Sequence, residues 1–169
     1  MRFRLRTLLS GLALATCAAG VGRYWYDVQV APSRQDHAVV ASEDYGGVVV
    51  RWSGERRIWA SQFRRAVHVW FDETEAFDAA AVRLGELTEV ESVQVLWRQL
   101  SHHAEAADRG EHDDVIAAWR RHPTLRQVLV DASVRGAPLG DRVELPTRDD
   151  LEMLRRVLPE AEIVWMEVH

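Results

Sequence analysis

At 169 residues, with 47% hydrophobic and 28% charged residues, the chain holds enough apolar material for one globular domain and too much for a disordered one. All 21 basic residues are arginine, and neither lysine nor asparagine occurs anywhere. That composition excludes a P-loop lysine, a Schiff-base amine and a kinase-type nucleotide anchor, and the net charge of −5 argues against nucleic acid as a partner.

Residues 1–22 read as a unit of their own. Arg2, Arg4 and Arg6 precede an apolar run from Thr7 to Gly22, and the first acidic residue is Asp27. A charged start followed by an apolar stretch of this kind predicts an export signal or a membrane anchor. Tyr24-Trp25-Tyr26 would suit the membrane interface of a retained anchor. Cys17 is the single cysteine, and Leu14-Ala15-Thr16-Cys17 resembles the lipobox of bacterial lipoproteins, which implies lipidation at Cys17. Location at a bacterial cell envelope follows from either reading. Beyond the leader there is no cysteine, so disulfides, thiol nucleophiles and cysteine zinc sites are excluded. There 18 arginines face 26 acidic residues, which makes that part more acidic still.

Residues 23–36, with Ala31-Pro32-Ser33, read as a linker, and 37–169 as an α/β domain. His37 to Tyr45 is compatible with a helix closed by Gly46-Gly47, whose backbones permit a left-handed turn. Val48-Val49-Val50-Arg51-Trp52 reads as a strand, with Arg56 to Trp59 as its hairpin partner. From about Val67 a recurrent pattern sets in. Val67 to Phe71 is a strand, and Asp78, Asp114 and Asp150, spaced 36 residues apart, each open an apolar-periodic stretch that runs into a β-branched strand. An aspartate there can accept from the free amides of a first helical turn and complements its dipole. The strands fall at Val90–Val95, Leu125–Val130 and Ala161–Met166, with Pro123 and Pro159 ending the helices before the last two. Leu100–Glu111 and Ser133–Arg148 read as long connections. Strands alternating with helices predict right-handed crossovers and parallel pairing. The expected fold is a short parallel α/β sheet of repeated units.

Val90-x-x-Val93-x-Val95, Leu125-x-x-Val128-x-Val130 and Ala161-x-x-Val164-x-Met166 keep the spacing of leucine-rich repeats, and Leu158-Pro159 with Ile163 is similar to the last repeat of bacterial members. The resemblance covers about residues 64–169. It implies a solenoid whose concave face binds another protein. The family's asparagine ladder falls here on Asp72, Arg98 and Ser133. A compact two-layer α/β fold unrelated to that family has the same element order.

Strand alternation places Val67, Val69, Val93, Val95, Val128, Val130, Val164 and Met166 on an apolar face against the helices. The other face carries His68, Trp70, Gln94, Leu96, Leu129, Asp131, Trp165 and Glu167. If that face is left uncovered, Trp70, Leu96, Leu129 and Trp165 are the candidate protein-binding residues, because buried aromatics dominate contact energies. The alternative is coverage by the 37–45 helix or the 48–59 hairpin, since parallel strands are usually buried on both sides.

The chemistry-bearing alternatives are few. His102, His103 and His112, with Glu105, Glu111, Asp113, Asp114 and His122, form the best metal-like cluster. Adjacent histidines on a helix diverge by about 100° and no H-E-x-x-H pair exists, so a solvated loop is expected and no metal is assigned. Strand-end residues Asp72, Glu73, Arg98, Asp131, Ser133, Arg135 and Glu167 lie where open sheets bind ligands. Asp72 and Asp131 offer an acid and base pair to a small hydrolase. No nucleophile elbow, dinucleotide fingerprint or P-loop is present, and no cofactor is implied. The leading expectation is a non-catalytic interaction module at the cell envelope, tied to the membrane through residues 1–22.

Overall fold

The computed structural model describes residues 5–45, 48–53, 64–71, 76–132 and 146–166. Five strands lie side by side in chain order: β1 (Val48–Trp52), β2 (Ala66–Phe71), β3 (Ser92–Leu96), β4 (Gln127–Asp131) and β5 (Glu162–Met166). β2 to β5 are mutually parallel, and β1 joins the edge antiparallel to β2. The parallel strands are bridged by α3 (Phe77–Arg83), then α4 (Trp97–Asp108) with α5 (Asp114–Arg121), then α6 (Arg148–Val157). When each new strand adds on the same side, right-handed crossovers lay every helix on one face. The core follows that rule: Val69, Val93, Val95, Val128, Val130 and Ile163 pack with Ala80, Leu84, Leu100, Ile116, Trp119 and Leu154.

The helix starts are chemically marked, with the capping residue shifted from the expected aspartates. Asp113 caps α5 by accepting from the Ile116 amide at 2.9 Å, while Asp114 lies in the first turn. Thr147 caps α6, and the Asp150 carboxylate accepts from the Thr147 amide at 2.7 Å, a reciprocal capping box. Asp78 lies in the first turn of α3 without capping it.

Three expectations are corrected. Leu100–Glu111 is mostly helix, not connection, because Trp97, Leu100, Ala104 and Ala107 recur at helical spacing and face the core. Residues 23–36 are helical rather than a linker. The helix α1 (Leu5–Trp25) passes through a π-turn (Tyr26–Val30) into α2 (Ala31–Val40). Pro32 falls at the start of α2, just past the π-turn that interrupts the regular helical ladder. The third correction is the phase of β5. Val128 pairs with Ile163 and Val130 with Trp165, so Ile163 and Trp165 face the helices while Val164 and Met166 face the other way. Ile163-Val164-Trp165-Met166 is apolar throughout, which leaves alternation with no phase to read, and a one-residue slip flips the strand. The proposed hairpin partner 56–59 and the turn Gly46-Gly47 lie outside the described residues.

α2 closes the N-terminal edge of this layer through a buried polar knot. Asp36 is fully buried. It accepts from the amides of Ala66 (3.0 Å) and Thr88 (2.9 Å) and from the Thr88 hydroxyl (3.2 Å). Thr88 Oγ1 in turn accepts from buried Arg65 at 3.1 Å, and Arg65 also reaches Glu89 and the Val28 carbonyl. Ser33 donates to the Arg64 carbonyl at 2.8 Å. In α1 the side chains of Leu9, Leu12, Leu14 and Val21 are exposed. Among the described residues no helix is long and apolar enough to cross a membrane.

Candidate functional site

Two places collect the candidate residues: the face of the sheet that is helix-free among the described residues, and a pocket in the helix layer. On the sheet face, register aligns side chains into rows. Arg51, His68, Ser92, Gln127 and Glu162 form a polar row, and Val49, Trp70, Gln94, Leu129 and Val164 a largely apolar one. Asp131 and Met166 follow at the carboxyl end. Trp70, Gln94, Leu129, Val164 and Met166 are all half-buried, Val49 is exposed, and none of them belongs to the core cluster. β1 extends the sheet rather than covering it, and α2 packs at its edge, so among the described residues neither expected cover lies over this face.

The structure keeps two of the four expected contact residues there. Trp70 and Leu129 share the apolar row. Trp165 lies on the opposite face and packs against the core. Leu96 is only 4% exposed, so it offers no surface. Val49 and Val164 were missed: the edge pairing of β1 and the phase of β5 put them in the row, and neither is visible in local pattern.

His68 Nδ1 and Ser92 Oγ share a hydrogen bond of 2.6 Å across β2 and β3. Burial, reinforced by Arg51, lowers the His68 pKa, so the neutral ring is favoured. A serine–histidine contact invites a hydrolase reading. Ser92, however, sits on an interior strand paired on both sides, so its neighbouring amides serve the sheet ladders rather than an oxyanion hole. Of the strand-end carboxylates, Asp131 is half-buried beside Leu96 and Met166. Asp72, Glu73, Ser133, Arg135 and Glu167 lie outside the described residues, and Arg98 is exposed on α4.

The pocket is open, has a volume of ≈ 550 Å³, and lies between the starts of α3 and α5 and the flank of α4. His103 stands at its back, with Nδ1 2.7 Å from Asp113 Oδ2 and Nε2 3.1 Å from Asp78 Oδ1. His102, expected to diverge from its neighbour, has its ring centroid 3.8 Å from that of His103. The donor atoms of Asp78, His102 and His103 lie within 4.8 Å of one another. His112 pairs instead with Asp114 at 3.0 Å. His122 is separate: it is buried and bonds the Leu87 carbonyl through Nε2 at 2.9 Å. The elements thus bring Asp78 to the histidine pair, a contact that sequence spacing hides because the rest of α3, β3 and the start of α4 lie between them. Cys17 is exposed on α1.

No protein-family model, curated protein or solved structure matches this chain.

Proposed function

We propose that the protein is a non-catalytic interaction module that docks a second protein on the helix-free face of its sheet, held at the bacterial cell envelope by its N-terminal helix. The observation that carries the reading is the row Val49–Trp70–Gln94–Leu129–Val164, an apolar stripe on a parallel sheet with no described helix over it. Parallel sheets normally bury both faces, so a face that no described helix covers is a surface suited to a partner. Trp70 supplies the large, stiff contact area that anchors such interfaces.

The strand order supports kinship with leucine-rich repeats in architecture. Val69, Val93, Val128 and Ile163 stand in one register line at steps of 24, 35 and 35 residues, each step returning to a parallel neighbour. A one-directional array with one-sided helices is the solenoid arrangement. The exposed apolar side chains of α1, preceded by Arg2, Arg4 and Arg6, support insertion or export of that end.

Site-specific photo-crosslinking in the native host tests the docking reading. A crosslinker at position 129 is expected to give a discrete protein adduct that Trp70→Ala abolishes. The same group at Arg121, on the helix side, is expected to give none. Adducts of equal yield from both positions, or one from 129 that is indifferent to Trp70→Ala, would sink the proposal.

A further inference from the structure

The helix layer holds a constellation that the sheet-face reading does not use and does not depend on. We propose that Asp78, His102 and His103 bind one divalent transition-metal ion, zinc foremost, with Asp113 as the residue that orients His103.

The first support is convergence. One carboxylate oxygen from α3 and two ring nitrogens from α4 lie within 4.8 Å of one another. A tetrahedral zinc ion with bonds of about 2.1 Å holds its ligand atoms about 3.4 Å apart. Asp78 and His102 are exposed, and rotation of their side chains would close that last ångström.

The second support is the wiring of His103, which is only 7% exposed. Asp113 Oδ1 is held by the Ile116 amide at 2.9 Å, and its Oδ2 faces His103 Nδ1 at 2.7 Å. A carboxylate only accepts, so Nδ1 carries the hydrogen. In the neutral ring the lone pair of Nε2 then points at Asp78 Oδ1, 3.1 Å away. That contact is satisfied either by a hydrogen on Nε2 or by a cation held between the two atoms. Carboxylate, histidine and metal in line is the usual way a protein fixes the tautomer and direction of a ligating imidazole. Two imidazoles with one carboxylate select zinc, nickel or copper over calcium or magnesium. The pocket mouth leaves the fourth position to water, and the ion would tie α3 to α4. A proton on His103 is the competing occupant, and it makes no stoichiometric demand on His102.

Untagged full-length protein, stripped with chelator, is titrated with zinc sulfate by calorimetry at fixed pH. One equivalent is expected to bind saturably and to raise the melting temperature. Asp78→Asn and His102→Ala alter exposed side chains, and each is expected to weaken binding at least tenfold. Asp113→Asn, which caps a helix as well as aspartate does, is expected to weaken it by about 10–100-fold. His112→Ala is expected to leave it unchanged. Cobalt substitution should give tetrahedral visible bands in the parent and none in the Asp78→Asn/His102→Ala double variant. Absence of saturable binding, or binding that survives the double variant, overturns the proposal.

Discussion

Asp36 is a residue whose loss the structure makes costly. Its carboxylate satisfies two backbone amides, one of them on fully buried Ala66, and one hydroxyl that also relays the Arg65 guanidinium. Hydrogen bonds to a charged group contribute about 1.5–3 kcal/mol each. Three of them sum to about 4–9 kcal/mol, less what is regained when the carboxylate no longer has to be desolvated. Removing one member of a buried charged network typically costs about 3–5 kcal/mol, and Asp36→Ala is expected in that range. With a urea m-value of about 2 kcal/mol/M, the midpoint falls by about 2 M. Asp36→Asn keeps the shape but turns an NH2 toward a donor, so it should recover only part of the loss. If α2 detaches locally instead, the amides of Ala66 and Thr88 lose their exchange protection while the core keeps its own. Unfolding free energies within about 0.5 kcal/mol of the parent, together with unchanged protection at Ala66 and Thr88, would refute the account of the knot.

Two more perturbations read other parts of the layer. His122 is buried and its pKa is lowered, chiefly by desolvation, against the raising effects of its bond to Leu87 and of Asp36. The unfolded chain takes up a proton as pH falls through about 6.5 while the folded chain resists, so the stabilisation is full above that pH and is lost below it. The slope from one such group is at most about 1.4 kcal/mol per pH unit. Urea midpoints at pH 7.5 and 5.5 should therefore diverge less in His122→Gln than in the parent; an equal divergence would remove His122 as a cause. Trp119 is 2% exposed, stacks near Phe71 and donates its indole N–H to the Ala81 carbonyl at 3.0 Å. Trp119→Ala should cost about 3–5 kcal/mol in the same assay, and a loss below about 1 kcal/mol would mean the helix layer repacks around the gap.

The sequence made the recurrent units legible because each carries its own punctuation. Asp78, Asp114 and Asp150 fall in the first turns of α3, α5 and α6, Pro123 and Pro159 follow helix ends, and the β-branched residues mark β3 and β4. Parallel order follows from the alternation of helix and strand. What stayed hidden was non-local. Asp36 meets Ala66 and Thr88 across 30 and 52 positions, so nothing near it in sequence says that it is buried. An aspartate four residues past Pro32 reads as linker until its partners are known. The phase of β5 is set by pairing with β4 and not by its own uniformly apolar run. α4 was readable in principle, from Trp97, Leu100, Ala104 and Ala107, but its histidines and acids gave it the look of a loop.

The two proposals share one structural cause. Strands that add in a single direction put the crossover helices, and with them the aspartates of their first turns and caps, on one side of the sheet. That side acquires paired helix starts, so Asp78 and Asp113 fall near each other and near the flank of α4, where His103 lies between them. Among the described residues the other side acquires no helix, and side chains define it. A charge placed in the middle of its apolar row, such as Leu129→Asp, touches no core residue and should therefore leave stability within about 0.5 kcal/mol of the parent while abolishing the crosslinked adduct. A large loss of stability would instead mean that this face is already packed within the chain, and the docking surface would have to be sought elsewhere.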